Sequence, residues 1–283
     1  MVLKKTAVVC SLSLSLCTSL LNAEDSGGYI QGGFQYSNFS GEMTTNATAY
    51  CNNSDLCNQS NPTYHYPQSS IKTYNGNLFG ADIQVGYKQF FGQSKHFGLR
   101  YYGMFSGQGG SYSALYGSGS NADFPVQINQ PSANLFYGVG IDALFNFYEK
   151  NNRTFGLFAG VMIGGSSWLM GGGTAENGGC RWQARYQGNL VGPCLTMNKF
   201  LSQVVDNFNE PNSKTKATFS PTFVQFIVNI GFRTNFTKHQ GFEFGVRIPT
   251  IDNPFYTETS TGGGMTITFR RNVVLYWNYV INF

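Results

Sequence analysis

Residues 273–283 read Val-Val-Leu-Tyr-Trp-Asn-Tyr-Val-Ile-Asn-Phe, with Val273, Leu275, Trp277, Tyr279, Ile281 and Phe283 at every second position. Between them lie Val274, Tyr276, Asn278, Val280 and Asn282, a mixed and partly polar set. A period of two belongs to an extended strand with unlike faces. These eleven residues match the roughly 9–11 that a tilted strand needs to cross a bilayer. Such a strand suits the edge of a soluble sandwich or the closing strand of a bacterial outer-membrane barrel. The apolar aromatic at its end favours the barrel, where the insertion machinery reads the terminal aromatic. Leu275, Trp277, Tyr279, Ile281 and Phe283 are the expected barrel-assembly signal. Deleting Phe283 is expected to lower the level of the protein in the outer membrane without touching a loop. Surface labelling of cells measures this, and unchanged levels contradict the assignment.

At the other end, residues 1–23 read as a secretory signal peptide. Lys4 and Lys5 precede a run of apolar and small residues, and Leu21-Asn22-Ala23 supplies a small-residue cleavage site. The rest, 24–283, reads as one domain. Nowhere does the chain hold 18 uninterrupted apolar residues, so helical spans are not expected. Charged residues make up 11%, against roughly 25% in a soluble domain. With 16% aromatics and 35 glycines, this composition argues against disorder and suits a surface facing lipid. The formal charge of +4 has no basic cluster behind it, so nucleic acid is not an expected partner.

Strand patterns recur along the chain at 29–36, 77–90, 97–106, 134–147, 155–168, 222–236, 241–249 and 273–283. In the second, Phe79, Ala81, Ile83, Val85 and Tyr87 oppose Gly80, Asp82, Gln84, Gly86 and Lys88. In the sixth, Val224, Phe226, Val228, Ile230 and Phe232 oppose Gln225, Asn229, Gly231, Arg233 and Asn235. Connections alternate long and short, with long ones at about 37–76, 107–133, 169–221 and 250–264. That is the outer-membrane pattern of extended outside loops and brief periplasmic turns. The apolar set is too bulky to fill an eight-stranded interior. The expected fold is therefore an all-β, eight-stranded antiparallel transmembrane barrel, apolar outside and polar inside. Met265, Ile267 and Phe269 continue the outward parity of the last strand.

The inward charges are Asp82, Lys88, Arg100, Asp142, Arg233, Glu243 and Arg247. Arg100 with Asp82, and Arg247 with Glu243, are the expected pairs. An interlocked plug is preferred over an ion-selective lining, because a barrel of this size is just wide enough for side chains to fill. Gly138-Val-Gly-Ile-Asp-Ala143 matches a dinucleotide fingerprint, but its glycines alternate inside a strand instead of making the strand-to-helix turn such a site needs. No catalytic motif or metal-ligand spacing is present, and His65, His96 and His239 are scattered. Neither an enzyme nor a cofactor is expected.

Four cysteines follow the signal peptide: Cys51, Cys57, Cys180 and Cys194. In an exported chain they read as two disulfides. Three connectivities are possible, and local pairing is favoured. Residues Met197, Leu201, Val204, Val205 and Phe208 recur at helical spacing and predict a short amphipathic helix packed over the barrel mouth. Between Cys180 and Cys194 lie Trp182, Arg185 and Tyr186, residue types that exposed binding loops use.

Several stretches carry a resemblance. They are Phe97-Gly-Leu-Arg-Tyr-Tyr-Gly103, 137–147, Phe232-Arg-Thr-Asn-Phe236, Gly241-Phe-Glu-Phe-Gly-Val-Arg-Ile-Pro-Thr250 with Asn253-Pro254, and 272–283. As a set they resemble the Helicobacter outer membrane protein family, the Hop and Hor group. The resemblance implies an outer-membrane barrel. Some members are adhesins and some have been described as porins. The adhesins insert a large extracellular domain near the N-terminus, whereas the first loop here spans only 37–76, which points to the shorter relatives. Expected partners are outer-membrane lipid, the barrel-assembly machinery and host surface glycans or proteins. The expected role is structural or host contact through stapled outside loops, with a small porin as the alternative.

Overall fold

The computed structural model describes residues 26–47, 68–92, 95–116, 126–150, 152–175, 178–186 and 189–283. The elements in order are β1 (Gly27–Ala47), β2 (Gln68–Phe91), β3 (Phe97–Tyr116), β4 (Val126–Lys150), β5 (Arg153–Met170), β6 (Thr174–Ala175), β7 (Ala184–Tyr186), β8 (Asn189–Val191), α1 (Met197–Phe208), β9 (Lys216–Phe219), β10 (Thr222–Asn235), β11 (Gln240–Pro249), β12 (Asn253–Ser260) and β13 (Gly263–Asn282). Strands β1, β2, β3, β4, β5, β10, β11 and β13 pair antiparallel in that order. β13 then pairs back onto β1, from Tyr29↔Asn282 to Ala47↔Gly263. The ring leaves no sheet edge facing lipid. No helix among the described residues is long and apolar enough to cross a membrane. The signal peptide read at 1–23 lies outside the described residues, as do Cys51, Cys57 and His65.

Around the periplasmic half, the faces separate as lipid demands. On β2, Phe79, Ile83, Val85 and Tyr87 are exposed, while Asp82, Gln84 and Lys88 are buried. On β10, Phe226, Val228, Ile230 and Phe232 are exposed, while Gln225, Asn229, Arg233 and Asn235 are buried. A continuous apolar exterior around a polar interior is the arrangement of a barrel solvated by acyl chains.

The strands run further than the sequence reading placed them. β1, β2, β3 and β4 hold 21, 24, 20 and 25 residues, about twice a bilayer span. Much of the segments 37–76 and 107–133, read as loops, is therefore strand. The segment 250–264 contains β12, and 169–221 contains β6 to β9 and α1. The physical reason is an inversion. Above the membrane the outside is water and the alternation changes sense, so Phe39, Tyr74, Leu78, Tyr112, Ala114 and Ile128 point inward and are buried. Their outward neighbours, among them Ser111, Ser113 and Asn129, are polar and exposed. A polar outward row resembles a loop when read for apolar content alone.

β13 carries a second departure. Its register against β1 slips between Asn38 and Phe39, where Asn38 faces Val273 but Phe39 faces Arg271. The extra residue, Asn272, is a bulge, and a one-residue slip sends every later side chain to the other face. Ile267 and Phe269 therefore do not continue the outward row. They are buried inside, and so is Arg271.

Two glycines let aromatic rings lie against the inner wall. A Cβ on Gly140 would sit 2.4 Å from Tyr102 Cζ, and one on Gly245 would sit 2.6 Å from Tyr276 Cζ. The dinucleotide-like glycines thus occupy a strand interior, where Gly140 makes room for Tyr102. Gly140→Val is expected to destabilise by about 1–3 kcal/mol through overpacking. Gly103, on the lipid side, where an added Cβ would meet nothing within 4 Å, is the control. Urea midpoints in detergent compare the two valine variants, and equal midpoints contradict the packing role.

Candidate functional site

The extracellular end of the barrel holds a cluster of fifteen buried apolar and aromatic residues. Phe39 lies 5.2 Å from Trp168 and 6.0 Å from Tyr112, and Phe269 lies 5.6 Å from Trp168 and 5.1 Å from Phe255, centroid to centroid. Helix α1 covers the cluster with Met197 and Leu201, and Val204, Val205 and Phe208 pack against it. Thr196 caps α1, its hydroxyl accepting from the Lys199 N–H at 3.2 Å. At the other end Asn209 donates to the Ala217 carbonyl at 2.8 Å and accepts from the Ala217 N–H at 3.1 Å. This side chain occupies the edge of β9, which among the described strands pairs only with β12. Tyr256, also in the cluster, donates to Glu258 Oε2 at 2.9 Å. Burial first, and then this hydrogen bond, raise its phenol above the ordinary range, so it stays neutral.

Cys180 and Cys194 are joined, with Cα atoms 5.8 Å apart. The bridge encloses the β7–β8 hairpin. Trp182 is not the exposed contact residue expected from the sequence. Its indole N–H donates to Gln130 Oε1 at 2.6 Å, and its ring lies 5.6 Å from Phe200. A partner for its one polar atom and an apolar neighbour for its ring allow it to be buried. Arg185 and Tyr186 stand on β7, and their side chains fall outside the described residues.

Below the cap, all seven expected charges are buried in the lumen. Arg100 and Asp142 are both 0% exposed. Arg100 Nη2 and Nε donate to Asp142 Oδ2 at 2.6 and 3.0 Å, and its Nη1 donates to Glu243 Oε1 at 2.6 Å. Arg233 approaches the same Glu243 oxygen at 3.9 Å and donates to Asn146 Oδ1 at 2.7 Å. Asp82 pairs with Arg247 and accepts from Gln35, and from Asn278 Nδ2 at 2.7 Å. Lys88 donates to Asn282 Oδ1 at 2.8 Å. Asn229, Tyr102 and Tyr276 link the groups, with Tyr102 donating to Asp142 Oδ1 at 3.1 Å and Tyr276 to Asn229 Oδ1 at 3.0 Å. Arg247 stacks 3.6 Å over Tyr276.

The pairs are not the expected ones. Register sets Arg100 directly opposite Asp142, whereas Asp82 faces Ser106, six positions along β3 from Arg100. Glu243 and Arg247 share one face of β11, but four residues of strand separate them by roughly 13 Å. Arg247 instead reaches across β13 and β1 to Asp82 on β2. Arg271 was missed altogether, because unbroken parity placed it outside. The consecutive polar residues Arg270-Arg271-Asn272 interrupt the alternation and mark the bulge.

At the periplasmic turns, His96 Nδ1 lies 2.9 Å from the Asn146 carbonyl and His239 Nδ1 lies 2.9 Å from the Asn282 carbonyl. Both tie a turn to a neighbouring strand. Among the described residues no group of three or more His, Cys, Asp or Glu could hold a metal ion. Phe283 donates its N–H to the Gly28 carbonyl at 2.9 Å, beside the exposed row Trp277, Tyr279 and Ile281.

Among solved structures the chain is similar to the outer membrane protein OprG from Pseudomonas aeruginosa, at 9% identity and a TM-score of 0.35 over 92% of this chain and 98% of that one. It is also similar to the outer membrane protease OmpT from Escherichia coli, at 8% identity and a TM-score of 0.32 over 94% and 99%. A third is Ail of Yersinia pestis, the attachment invasion locus protein, solved with the heparin analogue sucrose octasulfate, at 8% identity and a TM-score of 0.23 over 88% and 99%. No curated protein matches the chain. A family model described as Helicobacter outer membrane protein matches residues 82–283, which include six of the eight ring strands whole. With its closed antiparallel ring and lipid-facing exterior, this integral outer-membrane protein belongs to the Helicobacter outer membrane protein family.

Proposed function

We propose that this barrel does not transport solute and that its role, structural or in host contact, resides in the part above the membrane. The carrying observation is that a buried apolar cluster and a set of buried, paired charges follow one another along the barrel interior, so two kinds of packing obstruct one path. An eight-stranded barrel has little spare interior once such side chains are in place. The sheet also extends well beyond the bilayer, with α1 packed over its apolar cluster and the Cys180–Cys194 bridge closing the hairpin beside it, which supports its use as a platform for a partner. Host surface glycans or proteins are the proposed partners, outer-membrane lipid covers the apolar belt, and the barrel-assembly machinery engages the strand ending at Phe283. The test uses cells displaying the protein, probed with host glycans and proteins, against cells displaying a variant lacking 169–221. Binding that this deletion abolishes supports host contact, and equal binding by both contradicts a role for that segment.

A small porin is the second reading. It is favoured by the excess of cationic groups in the lumen, where Lys88, Arg100, Arg233, Arg247 and Arg271 face Asp82, Asp142 and Glu243. It requires Arg100→Ala or Arg247→Ala to alter conductance or ion preference.

A further inference from the structure

The cationic excess is not spread evenly, and its extracellular end has unmet hydrogen bonds. Arg247 is 1% exposed and gives only Nη1 to Asp82; its Nε and Nη2 have no hydrogen-bond partner. Stacking on Tyr276 at 3.6 Å covers a face of the guanidinium but gives no acceptor to the in-plane N–H groups of Nε and Nη2. Arg271 is 3% exposed. Among the described residues no carboxylate lies within 4 Å of it, and its one hydrogen bond is a long one, 3.5 Å, to Gln108 Oε1. The two arginines face the same space. Arg247 pairs in register with Val274 on β13, and Arg271 lies three residues further up that strand, turned inward by the bulge. One hydrogen-bonded chain joins them, running from Arg271 through Gln108, Gln35 and Asp82 to Arg247. The apolar cap lies above, with Phe269 two residues beyond Arg271.

We infer that Arg247 and Arg271 hold a small monovalent inorganic anion, chloride in the cell, beneath the apolar cap. A buried cation without a carboxylate is costly, and an anion offsets that cost where a neutral acceptor does so only in part. Each N–H to the ion is a charge-assisted hydrogen bond. A single negative charge shared between two guanidinium groups relieves their mutual repulsion and supplies the acceptor that Nε and Nη2 of Arg247 lack. The site adds to the obstructed-lumen reading and fails separately from it, since conductance defeats that reading while halide binding decides this one.

The test is a crystal of the full barrel soaked in sodium bromide, with data collected at the bromine edge. The expected result is an anomalous peak in contact with both guanidinium groups. Density there without anomalous signal means water and overturns the inference, as do peaks confined to exterior cations. A solution measurement supports it independently. In matched sodium chloride and sodium gluconate, chloride is expected to raise the unfolding midpoint of the wild-type barrel. That shift should be lost in Arg271→Gln and kept in Arg270→Gln, whose side chain points outward beside Asp252. A chloride shift that survives Arg271→Gln overturns the assignment.

Discussion

Replacing Asp142 by Ala is expected to cost the barrel about 3–5 kcal/mol of unfolding free energy, because it strands a buried guanidinium. Asp142 takes two hydrogen bonds from Arg100, one from Tyr102 and a longer set from Asn229. Both partners of the ion pair are 0% exposed, so no solvent compensates for the loss. Glu243 remains as a second acceptor for Arg100 at 2.6 Å, but it also serves Arg233. Arg100→Ala is expected to cost a similar amount by leaving two carboxylates short of a cation. The double variant should cost clearly less than the sum of the singles, since the second change removes a charge already stranded. Urea unfolding in detergent micelles measures all three. Additive costs would show that the pair is not coupled and that the lumen network is not an interior scaffold.

Trp168→Ala is expected to destabilise by about 3–5 kcal/mol, the range for deleting a large buried aromatic side chain. The effect should be local. Trp168 sits at the centre of the cap, between Phe39 and Phe269, and its carbonyl accepts from Asn198 Nδ2 at 3.0 Å at the start of α1. Its loss should loosen α1 and the bridged segment while the lipid-embedded ring stays folded. Limited proteolysis in folded micelles distinguishes the two, with cleavage expected within 171–220 and a protected barrel fragment below it. Cleavage spread evenly over the chain would mean that the cap and the ring are one cooperative unit.

The lower half of the barrel was legible because one solvent reads it. Lipid outside and paired polar groups inside force a clean alternation, so β10, β11 and 273–282 of β13 carry their faces in plain sequence. The upper half was not legible because water bathes its outer face. Ser111, Ser113 and Asn129 look like loop residues unless Tyr112, Ala114 and Ile128 are noticed between them. The lumen residues were legible as a set but not as pairs. Which charge meets which depends on the stagger of strands around the ring and on reach across it, and neither follows from spacing along one strand. Arg271 needed the Asn272 bulge, whose trace in the sequence is a break in parity. Trp182 was misplaced because its residue type suits a contact surface, while its burial depends on Gln130, more than fifty positions away.

The proposal that the lumen is obstructed is tested most directly by planar-bilayer recording of the purified, refolded barrel in chloride salt. The apolar cap above and the ion pairs of Arg100, Asp142, Glu243, Arg247 and Asp82 below predict a silent protein, with no stable unitary steps. Large, recurring single-channel steps from the folded wild-type barrel would contradict this reading and make the lumen a pore.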